Sequence, residues 1–118
     1  MREFEINLEP LSANATLVRV VGWLDAHTFE FMEQTINNLY GKGMVRLAID
    51  LSEVEYISSA GAGVFIGSLS GAHERGGNIV LMNPTEPVKE VFDMLGLSQV
   101  FTFADSKKAA AAALASAK

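Results

Sequence analysis

Cysteine is absent from the sequence, which excludes disulfide frameworks, thiol nucleophiles and thiolate metal sites. Positive charge is scarce. Lys and Arg number 9 against 14 Asp and Glu, a net charge of −5. Phosphate backbones are held by clustered Lys and Arg, so nucleic acid is not an expected partner. The balance favours solubility and a protein partner with a basic face. No apolar run approaches the ~20 residues of a membrane span, so no membrane insertion is expected. The N-terminus, Met1-Arg2-Glu3-Phe4-Glu5, lacks the basic region and apolar stretch of a signal peptide. No internal repeat or low-complexity linker appears. Together these absences point to a cytoplasmic protein.

What remains is 118 residues with a hydrophobic fraction of 49%. That suffices for one domain, 1–118, with a core of its own and no need of staples.

The pattern along the chain alternates strand and helix. Phe4, Ile6 and Leu8 interleave with Glu3, Glu5, Asn7 and Glu9, the period of a half-buried strand. A turn over Pro10–Asn14 leads into the β-branched run Thr16–Val21, so a hairpin is expected. Phe29, Met32, Ile36, Leu39 and Tyr40 share one helix face, with Asp25 as N-cap and Gly41 and Gly43 at the end. A strand over Val45–Leu51 shows apolar residues on one face and the small Ala48 on the other, where something packs closely. Ser52 and Glu53 read as a polar link before Val54–Ile57. A second helix is expected from about Ser59 to His73, closed by Arg75, Gly76 and Gly77. Asn78–Met82 reads as a strand buried on both faces. Val88, Val91, Phe92 and Leu95 mark a third helix, with Pro87 in its first turn and Gly96 past its end. Val100, Phe101 and Phe103 read as an edge strand, and an alanine-rich helix fills about 105–118. The expected class is α/β: a mixed sheet of four to five strands with about four helices packed on it.

Few segments carry chemistry. Ser58 and Ser59 stand where a strand hands over to a helix. One of them caps the helix, or a hydroxyl there is a modification site, since a phosphate would meet free N–H groups and the positive end of the dipole. Gly63, Gly67 and Gly71 recur every four residues within the helix. Such a stripe allows either close packing on the sheet or a flat docking surface. Gly61-Ala62-Gly63 misses the dinucleotide fingerprint, which needs its third glycine at Ile66, and no P-loop motif is present. His27 and His73 read as surface residues. Asp25 and Asp50 each follow an expected strand. A different class of function, Mg²⁺-dependent phosphotransfer, would use such a pair; alternatively Asp50 caps its loop.

A wider pattern is carried by Gly22-Trp23-Leu24-Asp25, Leu47-Ala48-Ile49-Asp50-Leu51-Ser52, Val54, Tyr56-Ile57-Ser58-Ser59-Ala60-Gly61-Ala62-Gly63, Gly76-Gly77, Asn83-Pro84 and Leu95-Gly96-Leu97. In order and spacing these resemble the STAS domain, above all the free-standing anti-sigma factor antagonists, over nearly the whole chain. The resemblance implies a switch without catalytic activity, cofactor or metal. Such proteins bind an anti-sigma factor that is also a serine kinase, and so release the sigma factor. The kinase phosphorylates one serine and breaks the complex, and a serine phosphatase resets it. The phosphorylated position corresponds to Ser59. Many members place Asp before that serine and Ser or Thr after it. Here Ser58 and Ala60 stand there, which makes Ser58 a second candidate. The implied partner surface is Asp25 with Ser58, Ser59, Ala60, Gly61, Ala62 and Gly63. STAS domains also serve as subunits of lipid-transport ATPases and of stressosome-type assemblies, the alternative roles the resemblance leaves open.

Overall fold

The N-terminal segments build a hairpin, as expected, but the first strand runs through Pro10 to Ser12, the turn is only residues 13–14, and Leu8 of the alternating set is exposed. In the structure, a computed structural model that describes residues 3–115, β1 (Glu5–Ser12) pairs antiparallel with β2 (Ala15–Leu24). The remaining elements follow as α1 (Phe29–Gly41), β3 (Arg46–Ile57), α2 (Ser59–Glu74), β4 (Asn78–Met82), α3 (Glu86–Met94), β5 (Thr102–Ala104) and α4 (Lys107–Ala115). The strands stand in the order β1-β2-β3-β4-β5, and every pair after the hairpin is parallel. Parallel strands need a crossover, and crossovers are almost always right-handed. With strands added in one direction, that rule delivers α1, α2 and α3 to one face of the sheet.

The burial pattern confirms the two faces. Val18, Val20, Leu47, Ile49, Ile79 and Leu81 meet Met32 and Ile36 of α1, Phe65 and Leu69 of α2, and Val88 and Phe92 of α3. Ala15, Leu17, Ala48, Val80 and Met82 point the other way and meet Ala110 and Leu114 of α4. The element that packs on Ala48 is thus the alanine-rich helix, whose small side chains let it lie close to the sheet. The last expected residues of that helix lie outside the described ones. Among the described residues no helix is long and apolar enough to cross a membrane.

Several expectations are corrected. Ser52 and Glu53 do not break β3, which is one 12-residue strand. Arg19 pairs with Asp50 and Val21 with Glu53, then Gly22 with Val54 and Trp23 with Tyr56, so β3 carries an extra residue at each of two bulges. A bulge absorbs the polar pair that looked like a link. The α1 N-cap is Thr28, not Asp25, because residues 25–28 form a turn first. Phe101 is a buried core residue ahead of β5, and Leu95 is the half-exposed cap of α3.

Tight joints lock the layers. A Cβ on Gly77 would lie 1.9 Å from the Val45 carbonyl oxygen, so only glycine fits where β4 begins beside β3. Tyr40 spans α1 and α2. Its hydroxyl donates to the Ser68 carbonyl at 2.6 Å, and the Arg75 guanidinium sits 5.1 Å above its ring.

Candidate functional site

The carboxyl ends of β2 and β3 bring the candidate residues together. The Ser58 N–H donates to the Leu24 carbonyl at 3.0 Å and ties the end of β3 to the end of β2. Gly61 then passes so close that a Cβ would stand 2.5 Å from that same carbonyl oxygen. The first turn of α2 is therefore pinned against the strand that leads to Asp25. Asp25 Oδ1 accepts from the His27 N–H at 2.9 Å, and the Thr28 hydroxyl donates to the Trp23 carbonyl at 2.8 Å. These bonds hold the 25–28 turn beside the α2 start.

The two serines have different tasks. Ser58 has extended backbone, and its Oγ accepts from the Gly61 N–H at 3.2 Å, so Ser58 is the helix cap. Ser59 is the first helical residue. It is exposed, and its hydroxyl bonds to none of the described residues. A free hydroxyl thus stands beside the orphan N–H groups of the first turn.

The glycine stripe divides. A Cβ on Gly63 or Gly67 would meet nothing within 4 Å, whereas Gly71 faces Tyr40 at 3.3 Å. Gly63 and Gly67 therefore do not serve packing on the sheet. With Ala60, Ile66 and Ser70 they form an exposed strip, small-residued apart from Ile66, running from Ser59 along α2. Ala62 is buried in the core and supports the strip from beneath.

Asp50 does not join this site. It lies within β3 opposite Arg19, five residues before Leu24 on β2, roughly 16 Å short of the site at ~3.3 Å per residue. Its Oδ1 accepts from the Ser52 N–H at 3.0 Å and its Oδ2 meets Arg19 Nε at 3.5 Å. The paired-aspartate phosphotransfer site is thereby overturned, because the bulged strand carries the sheet well past Asp50. Among the described residues no three Asp, Glu or His are grouped to hold a metal ion. His27 and His73 are exposed, as expected. A cavity of about 620 Å³ lies at the ends of β4 and β5, lined by Asn83, Lys89, Asp93 and Phe103, and includes neither serine.

Sequence reasoning missed an aromatic pair beside the site. Trp23 and Tyr56 pack at 5.4 Å on the sheet and remain 38% and 44% exposed. Trp23 alternates in β2 with the buried Leu24, the signal that would have found it.

A hairpin-led mixed sheet, three helices on one face, one on the other and a serine at the second helix start define the STAS class. Residues 9–110 match the STAS domain, and the chain belongs to that family. It is 32% identical over 81 residues to the anti-sigma-B factor antagonist of Listeria monocytogenes, covering 69% of this chain and 71% of that one. It is 30% identical over 87 residues to the anti-sigma-B factor antagonist of Bacillus subtilis, covering 74% and 79%. The structure superposes on the anti-sigma factor antagonist SpoIIAA in its unphosphorylated form with a TM-score of 0.77 at 23% identity, covering 89% and 92%. The phosphorylated form of Bacillus SpoIIAA gives 0.72 at 22%, covering 92% and 99%.

Proposed function

We propose that this STAS domain is an anti-sigma factor antagonist switched by phosphorylation of Ser59. Unphosphorylated, it docks its Asp25 turn, Ser58–Gly63 and the adjoining glycine strip on an anti-sigma factor that is also a serine kinase, and so frees the sigma factor in the cytoplasm. The carrying observation is the division of labour between the serines. Ser58 is spent on the cap, while Ser59 offers an exposed hydroxyl at the head of the exposed α2 strip.

The chemistry is phosphoryl transfer catalysed by the partner. Ser59 Oγ attacks the γ-phosphorus of ATP and loses its proton as ADP leaves; the domain supplies only the nucleophile. Phosphorylation adds about −1.5 to −2 charges at pH 7. On the free protein the N–H groups and dipole of α2 accommodate that charge. In the complex it is buried against a surface shaped for a neutral hydroxyl. A hundredfold loss of affinity corresponds to ~2.7 kcal/mol, within reach of one unpaired interfacial charge. A serine phosphatase restores the binding form.

The test is incubation with candidate serine kinases of the histidine-kinase fold and ATP, followed by mass spectrometry. Phosphate is expected on Ser59 in wild type and in Ser58→Ala, and none on Ser59→Ala. Full modification of Ser59→Ala would transfer the role to Ser58.

A further inference from the structure

The amino-terminal end of β3 carries two cations that the fold does not offset. Residues 42–45 link α1 to β3, so Lys42 and Arg46 stand at the two ends of one short turn. Both line a cavity of about 510 Å³ between that turn and the hairpin tip at 12–16. Small-molecule sites span roughly 300–1,000 Å³. Arg46 Nε is buried and has no hydrogen-bond partner among the described residues. Among those residues, none forms an ion pair with the guanidinium or with the Lys42 ammonium. A buried N–H without an acceptor is costly, and more so on a charged group. The nearby acceptors are already engaged. Glu9, the carboxylate of the lining, is held by Arg19 at 3.2 Å and by Lys107 at 3.8 Å. The Leu39 and Tyr40 carbonyls accept from the N–H groups of Lys42, Gly43 and Met44.

The rest of the wall is apolar. Leu8 and Met44 line the cavity and are about half exposed. A second cleft, of about 270 Å³, shares Leu8, Leu39 and Lys42 with it and continues past Ile6 to the half-exposed Phe31. An apolar track thus leads away from the two cations between α1 and β1.

Charge and shape together select the occupant. An uncharged apolar ligand would leave the guanidinium uncompensated. A polyphosphate would meet the carboxyl end of α1, whose dipole has its own sign, and would find none of the free N–H groups of a helix start. One carboxylate on an alkyl body satisfies both features, because a guanidinium forks to a carboxylate and the chain covers exposed apolar surface.

We propose that this cleft binds a small alkyl carboxylate, with its head on Arg46 and Lys42 and its chain along Leu8, Met44 and, in longer ligands, Phe31. The site lies at the opposite end of β3 from Ser59 and stands whether or not the functional reading above is right.

The isotope-labelled full chain is titrated with decanoate below its micelle-forming concentration, and with acetate, inorganic phosphate and decyltrimethylammonium. Decanoate is expected to shift the Arg46 Nε–H resonance and the amides of Leu8 and residues 42–46 saturably, and to leave Ser58–Gly63 in place. Acetate and phosphate should bind several-fold more weakly, for want of the alkyl body. The ammonium amphiphile should do the same, for want of the opposite charge. Arg46→Gln should weaken decanoate about tenfold, the worth of a charge-assisted hydrogen bond, and Arg46→Lys should recover part of that loss. Met44→Ser keeps both cations and should weaken decanoate without affecting acetate. Lys42→Gln, at an exposed residue, replaces Arg46→Gln if that variant does not fold. A decanoate response that fails to saturate, that the ammonium amphiphile equals, or that survives loss of the cation overturns the proposal. Tighter binding of phosphate than of decanoate also overturns it, in favour of a site for simple anions.

Discussion

Ser58 and Tyr40 show how single polar groups hold this domain. Replacing Ser58 by Ala removes the cap on α2 and should cost about 1 kcal/mol in urea unfolding, while leaving Ser59 open to modification. A loss within error would mean that water caps the Gly61 N–H equally well. Tyr40 makes a pH-dependent contribution. Burial pushes its hydroxyl up to about 12, and the Arg75 guanidinium opposes that rise only in part. In the unfolded chain the phenol titrates near ~10. The folded state therefore binds the proton more tightly. Its contribution is fully present below pH ~10 and is lost as pH rises through about 12. Tyr40→Phe should cost about 1 kcal/mol at neutral pH through the lost bond to Ser68. The gap between wild type and variant should narrow in unfolding curves taken above pH ~10. A constant gap up to the highest pH would show that Tyr40 titrates alike in both states.

Along α2, glycines at different positions answer to different forces. Gly63 and Gly67 are exposed in a helix interior, where Gly costs about 1 kcal/mol relative to Ala. Gly67→Ala should raise stability by up to about that amount. Gly67→Leu should fold at least as well as wild type and lose partner affinity, measured by calorimetry against the cognate anti-sigma factor. Unchanged affinity would remove the strip from the interface. Gly61→Ala should behave oppositely, since its Cβ would meet the Leu24 carbonyl oxygen at 2.5 Å and the Leu24 side chain at 2.9 Å. It should destabilise the domain by 1–3 kcal/mol or so, the cost of overpacking. The two variants together separate the face of α2 that builds the fold from the face that meets a partner.

Taken as one body, the domain is expected to signal without refolding. The phosphate on Ser59 would lie at a helix N-terminus on an exposed edge, and the cores on both faces of the sheet are closed beneath it. Backbone amide shifts should therefore change near residues 24–28 and 58–63 and stay fixed across β4, β5 and α4. Thermal stability should hold or rise slightly. Shifts spread over the sheet, or a marked fall in Tm, would replace the electrostatic account by a conformational one.

Local chemistry makes much of this legible along the chain. Alternation at Phe4, Ile6 and Leu8, the helical spacing of Val88, Val91 and Phe92, and the Ser-Ser-Ala-Gly run are patterns of neighbours, which any sequence displays. The long-range pairings are not. Whether Ser52 and Glu53 end a strand or lie in a bulge depends on β2, about thirty residues earlier, through the registers Arg19 with Asp50 and Val21 with Glu53. Asp25 and Asp50 resemble a pair of strand-end acids until that register separates them. The glycine stripe reads alike whether it faces sheet or solvent, because a residue without a side chain carries no polarity to orient it. The packing of α2 on the sheet turns Gly61 inward and leaves Gly63 and Gly67 outside. Ser58 and Ser59 have the same side chain, and only the way the backbone turns beneath Leu24 makes one a cap and leaves the other a free hydroxyl.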